Sequence, residues 1–243
     1  MKLLKLLRDR FRLTRALSRR FLEEGRIFVG ERRAESLDMD VSRYAPVIID
    51  GTTVLFHKPE GYVVSRSEKG SPVIYDILPS EMIMLNPVGR LDKDSSGLLL
   101  LMLDGILQHR LTHPRYGIVR DYVVVLDRQP DEDYFSGMVG GVRLGDEFLR
   151  ALKVISINAM EIPDGLREIW MRDVDVERAV LVRMDHGKYR EIRRLSEALG
   201  YHVQLLRRVR YSRLDLDVPE GQWRHLTLKE VLNLMEDVGL IAP

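Results

Sequence analysis

Gly89-Arg90-Leu91-Asp92-Lys93-Asp94-Ser95-Ser96-Gly97, running directly into Leu98–Met102 and Leu103, is where the fold of this chain reads outward. A polar loop opens into the longest aliphatic run in the sequence. Six apolar residues cannot cross a bilayer, which takes about 20, so the run reads as a buried strand. A carboxylate at the mouth of such a strand is rigidly placed and partly desolvated. That is how a protein prepares an acid for nucleophilic or base work. Asp92 and Asp94 both meet this description, and spacing alone does not choose between them. The same residues also fit a loop whose Asp and Ser side chains bond their own backbone.

The whole chain supports a core around that strand. Its 243 residues are 45% apolar and 31% charged, enough to bury a sizeable interior and remain in solution. With no cysteine, a disulfide framework, a Cys-based zinc site and thiol chemistry are excluded. The first residues interleave apolar side chains with Lys5, Arg8, Arg10 and Arg12, unlike a secretion signal, and the expected location is the cytoplasm. A net charge of +1 conceals two basic blocks. Residues 1–36 hold eleven Lys/Arg against five Asp/Glu, and residues 183–213 hold nine against three, so a polyanion is a natural partner.

The first block has the pattern of a small helical module. Leu3, Leu7 and Phe11 share a helix face. Thr14 caps a second helix in which Leu17, Phe21 and Leu22 lie on one side, and Gly25 stops it. Ile27–Val29 follow as a short strand. This order, with Gly25-Arg26-Ile27-Phe28-Val29-Gly30, resembles the S4 RNA-binding domain, although Gly30-Glu31 replaces the usual Asn-Gly turn. A module over 1–48 and a larger domain over 52–243 are expected.

In the larger domain, 54–56, 62–64, 123–126, 152–157 and 179–184 read as strands. Residues 72–78, 131–139 and 192–199 read as helices. Strands and helices mix without strict alternation, which predicts an α+β fold with a mixed or antiparallel sheet.

Gly89-Arg90-Leu91-Asp92 with Asp94-Ser95-Ser96-Gly97-Leu98 resembles the catalytic motif of the RNA pseudouridine synthases, in the RsuA/RluB branch. Three more stretches agree in order. His57-Lys58-Pro59-Glu60-Gly61 is similar to the family's Lys-Pro-x-Gly motif, and Arg120-Asp121-Tyr122, with His113-Pro114 upstream, to its Lys/Arg-x-Tyr motif. Gly187-Lys188-Tyr189-Arg190-Glu191-Ile192-Arg193-Arg194-Leu195 is similar to its basic helix motif. The resemblance implies an isomerase that converts a uridine in ribosomal RNA to its C-glycoside, with no cofactor and no metal. Asp92 would be the essential carboxylate, Tyr122 would stack on the extruded base, Arg193 would pair with Asp92 and keep it ionised, and Arg90 would fill the vacated space or hold the flipped phosphate. Arg190-Glu191, in place of the His-Gln of many relatives, points to large-subunit RNA, with the same activity on small-subunit RNA as the alternative.

RNA contacts are expected from Arg15, Arg19, Arg26, Lys58, Arg120, Lys188, Arg190, Arg194, Arg207 and Arg208. A monomer with no membrane contact is expected. Two rival classes fit the sequence less well. A non-catalytic RNA-binding assembly factor has no need of Asp92 facing phosphates. A glycosidase needs two placed acids and stacking tryptophans, yet Trp170 and Trp223 lie far from the motif in sequence.

Overall fold

The computed structural model describes residues 1–242. Helix α1 (Leu3–Phe11) buries Leu3, Leu7 and Phe11, as their spacing requires. Helix α2 (Arg15–Glu23) starts at Thr14, whose hydroxyl oxygen accepts the Leu17 amide at 3.2 Å. Strands β1 (Ile27–Val29), β2 (Arg32–Arg33) and β3 (Val47–Ile49) form a small antiparallel sheet in the order β2-β1-β3. This layer is fastened to the rest of the chain by a buried ion pair. Arg10 Nε lies 2.8 Å from Asp104 Oδ1, and another Arg10 nitrogen donates to the Ala45 carbonyl at 2.9 Å.

The remaining chain builds one large sheet. Its members are β4 (Thr53–Lys58), β5 (Asn86–Pro87), β6 (Ser96–Met102), β7 (Arg120–Leu126), β10 (Lys153–Ser156), β11 (Ala179–Met184), β12 (Val203–Tyr211), β13 (Leu214–Asp215) and β14 (Trp223–His225). The main path runs β10-β11-β7-β12-β6-β4-β14. All pairings are antiparallel except β12 with β6, which run parallel at the centre. A separate hairpin, β8 (Val142–Leu144) with β9 (Glu147–Leu149), stands off the sheet.

Each face of the sheet carries its own core. Leu99, Leu101, Val124 and Leu206 pack with α4 (Glu132–Gly140) and α6 (Glu191–Ala198). Leu98, Leu100, Val123 and Val209 pack with α3 (Gly105–Thr112), α5 (Arg167–Trp170) and α7 (Leu228–Asp237). Strand β6 is therefore buried on both sides, which is why its sequence shows no polar alternation. Gly97 permits the central parallel pairing. Its φ is +111°, and a Cβ there would sit 2.3 Å from the Arg208 carbonyl oxygen, so no side chain fits.

The fold is α+β, as expected. Residues 72–78 form only a single 3-10 turn at Ile74–Asp76, and 62–64 contribute one bridge, Val63 to Val73, instead of strands in the sheet. The nine-residue β12 was not anticipated, because its arginines read as a surface path.

Candidate active site

The Asp92 loop lies between β5 and β6 and is held from three sides. Lys58, at the end of β4, is fully buried and donates to the Ser95 carbonyl at 2.7 Å and to the Pro59 carbonyl at 2.9 Å. Burial depresses its pKa to about 8. The Gly61 amide donates to the Lys93 carbonyl at 2.7 Å, so the Pro59–Gly61 turn supports the same loop. From the third side come Arg190 and Arg193, at the start of α6.

Arg190 adopts a left-handed conformation, φ 47°, as the residue capping α6. Its fork grips both Asp94 oxygens, at 3.1 and 2.8 Å. Arg193 donates to the Asp94 carbonyl and to the Val203 carbonyl, the latter at 2.9 Å. Burial pushes the Asp94 carboxyl up, but the Arg190 hydrogen bonds and the charge of Arg193 outweigh it and hold it below the ordinary carboxylate range. The expected pair of Arg193 with Asp92 is not formed. Arg193 points its Nε at Asp94, 3.5 Å away, because its other nitrogens are committed to the loop backbone and to β12. The nearest cation to Asp92 is Arg190, at 3.9 Å.

This division separates two acids that spacing left equivalent. Asp94 is engaged in holding the loop. Asp92, with a quarter of its side chain exposed, accepts no side-chain hydrogen bond among the described residues and faces a cleft of about 380 Å³. Tyr122, on β7, is buried among Leu206, Met184 and Ile192 and lines the same cleft. Arg90 lines it too, exposed and with no hydrogen bond or ion pair among the described residues. Ser95 Oγ, also at the cleft, is buried and has no partner there. The four motifs, far apart in sequence, thus converge on one loop and one cleft. The arrangement offers an accessible carboxylate, an aromatic wall and a free guanidinium to a ligand with a planar ring and a negative charge.

The expected RNA contacts fare differently. Lys58, Arg120, Arg207 and Arg208 are all buried, which takes them off the surface. Arg120 donates to the Leu111 carbonyl and the Tyr211 hydroxyl. Arg207 donates to the Ile169, Trp170 and Arg172 carbonyls, and Arg208 to the Leu98 carbonyl. They are internal struts that satisfy backbone oxygens. Arg26 stacks on Phe21 at 4.5 Å and donates twice to the Asp50 carbonyl, at 2.9 and 2.7 Å. Lys188 and Arg194 reach the β8–β9 hairpin, donating to the Phe148 carbonyl and to Glu147. Arg15 and Arg19 remain exposed, with no side-chain partner among the described residues. Tyr189, whose position the motif contained but whose side chain was not singled out, stands 72% exposed at the cleft.

The family described as RNA pseudouridylate synthase matches residues 52–198. An RNA pseudouridine synthase of Aquifex aeolicus (strain VF5) is 30% identical over 96% of both chains. The ribosomal large subunit pseudouridine synthase B of Yersinia pestis is 32% identical over 90% of this chain and 70% of its own. A crystal structure of a pseudouridylate synthase superposes with a TM-score of 0.64 at 25% identity, covering 96% of this chain and 99% of that one.

Proposed function

Since this chain belongs to the RNA pseudouridylate synthase family and is an RNA pseudouridine synthase, we propose that it isomerises one uridine of large-subunit ribosomal RNA and that Asp92 is its essential carboxylate. The observation that carries the second part is the contrast between the two acids of the loop: Asp94 is locked by Arg190, while Asp92 is held in place by its backbone and left free at the cleft. The name of the Yersinia pestis relative supports the choice of subunit.

The reaction breaks the bond from N1 to C1′, turns the uracil and joins C5 to C1′. The C5 hydrogen leaves as a proton and N1 gains one, so no electrons are exchanged with a partner. Attack on the nucleotide and removal of a sugar proton both begin at a carboxylate oxygen open to the cleft. The target must leave its stack to arrive there. Tyr122 supplies a flat, largely dry wall for the extruded base. The unpaired Arg90 occupies the gap left in the RNA or takes the displaced phosphate.

Arg193 is a positioning residue in this scheme. It ties α6 and β12 to the backbone of the loop that carries Asp92. The α1–β3 layer is read as an S4-type module, with Arg15 and Arg19 as phosphate contacts. Localisation in the cytoplasm and a monomeric state complete the reading.

The test is to map pseudouridines in ribosomal RNA from cells with and without the gene, complemented by the parent chain or by Asp92→Asn. One large-subunit pseudouridine is expected to vanish with the gene, to return with the parent and to stay absent with Asp92→Asn. The purified variant should keep RNA affinity within about fivefold, since the amide preserves shape and loses the reactive oxygen. Restoration by Asp92→Asn would remove that carboxylate from the mechanism, and a missing small-subunit pseudouridine would correct the target.

A further inference from the structure

Asp92 stands at the junction of two clefts. One is the 380 Å³ cleft lined by Tyr122. The other is wider, about 620 Å³, and opens past Glu60, Gly61 and Lys93. Arg90, Leu91, Asp92, Tyr189 and Arg190 line both. Tyr189 is the most exposed large apolar or aromatic side chain in the described protein.

Exposure of a ring is ordinary when the chain beneath it is loose. Here it is not. The Lys188 amide donates to buried Glu191 at 3.0 Å, and the Lys188 ammonium donates to the Phe148 carbonyl at 2.9 Å. The Tyr189 carbonyl accepts from Arg194 at 3.3 Å. Arg190, next in the chain, is fixed in a left-handed conformation by its fork on Asp94. A backbone held in this way presents an aromatic face to solvent, at a rim that Asp92 and the unpaired Arg90 also line. A preorganised ring loses little freedom on stacking, and the unpaired guanidinium of Arg90 at the same rim suits a phosphate of the nucleotide it would stack on.

We propose that Tyr189 is the stacking platform for the unpaired nucleotide adjacent to the target uridine, so that the wider cleft holds that neighbour while the narrower one holds the uridine. This rests on the assignment of the narrower cleft to the uridine. When the target leaves the stack, its neighbour loses a stacking face. A second aromatic surface, at the rim of the same loop, replaces it. Every base has a face to offer, so the platform selects for an unpaired nucleotide at that position and tolerates its identity.

A binding cycle on the full chain tests the platform. The probe is a labelled RNA hairpin with an unpaired uridine between two unpaired purines, prepared intact and with either purine base deleted to an abasic residue. Tyr189→Ala should weaken binding of the intact hairpin roughly five- to hundredfold, the range for loss of one base–aromatic stack. Tyr189→Phe should stay within about twofold, because the ring is kept. Deleting one of the two purines should weaken the parent by a similar factor and have little further effect on Tyr189→Ala. Parent-like binding by Tyr189→Ala would overturn the proposal, as would abasic losses that multiply with it at both neighbours. Pseudouridine formation by the unsubstituted chain is read separately. Its absence sinks the assigned activity, whereas an additive binding cycle sinks only the platform.

Discussion

The ion pair of Arg10 and Asp104 gives the sharpest quantitative expectation. Their side chains are 4% and 6% exposed, so solvent screens them little. Asp104 has a second duty, accepting the Ile106 and Leu107 amides at 3.0 and 3.1 Å as the cap of α3. Arg10→Ala removes the cation and leaves a buried carboxylate supported only by those two amides. Breaking a buried pair from one side costs about 3–5 kcal/mol. The remaining cap bonds place the expected loss near the lower figure, about 3 kcal/mol. In urea, with a slope near 3 kcal/mol per molar for a chain of this size, the midpoint should fall by about 1 M. Asp104→Asn keeps a capping oxygen and discards the charge, and should destabilise by a comparable amount. Arg10→Ala combined with Asp104→Asn should cost less than the two single losses added together, because removing both charges abolishes the unpaired one. Urea unfolding followed by far-UV circular dichroism measures all of these. Single variants each within about 0.5 kcal/mol of the parent, or a double variant equal to the sum of the singles, would refute the reasoning. The same pair predicts that cutting the chain after residue 48 uncovers apolar surface on the remaining domain and leaves Asp104 without its cation.

Gly97→Ala should cost on the order of 3 kcal/mol or more, since the new methyl overlaps the Arg208 carbonyl at the only parallel pairing in the sheet. A melting temperature lowered by roughly 10 °C, together with lost product formation, is expected, and a shift under about 2 °C would contradict the close approach. His57 is 2% exposed, and burial depresses its pKa to about 4, against an ordinary value of 6.5. Between pH 6.5 and 4 the unfolded chain takes up a proton that the folded chain refuses, so folding stability should be lost as the pH is lowered through that window and regained as it rises. The slope should reach about 1.4 kcal/mol per unit, and His57→Gln should flatten it by that amount; an equal slope in both proteins would show that His57 is not the group responsible.

Much of the site was readable because its chemistry sits in contiguous motifs. The strand after Gly97 betrayed itself by an unbroken aliphatic run, and Thr14 announced the helix it caps. What stayed hidden depends on contacts between distant segments. Arg207 and Arg208 look like surface cations in a sequence, yet each is buried against backbone carbonyls supplied by residues 169–172 or 98. Their charge disguised β12 as a solvated stretch. Asp92 and Asp94 were alike until the fold gave one of them to Arg190. Helix α7 carries a legible sign in Thr227 and Glu230, whose reciprocal cap marks its start.

The parallel contact between β12 and β6 sets the order of events during synthesis. Arg208 Nε bonds the Leu98 carbonyl across 110 residues, and Arg193 reaches the Val203 carbonyl beyond the helix that carries it. Every side chain of the two clefts has been added by the time Leu206 is joined, but β6, already paired with β4, still lacks its parallel neighbour. Long-range closures of this kind come late in folding, and a growing chain lengthens by only about 5–20 residues each second. A nascent chain therefore carries the complete set of cleft residues before the parallel pairing of β12 with β6 can close the sheet beneath them.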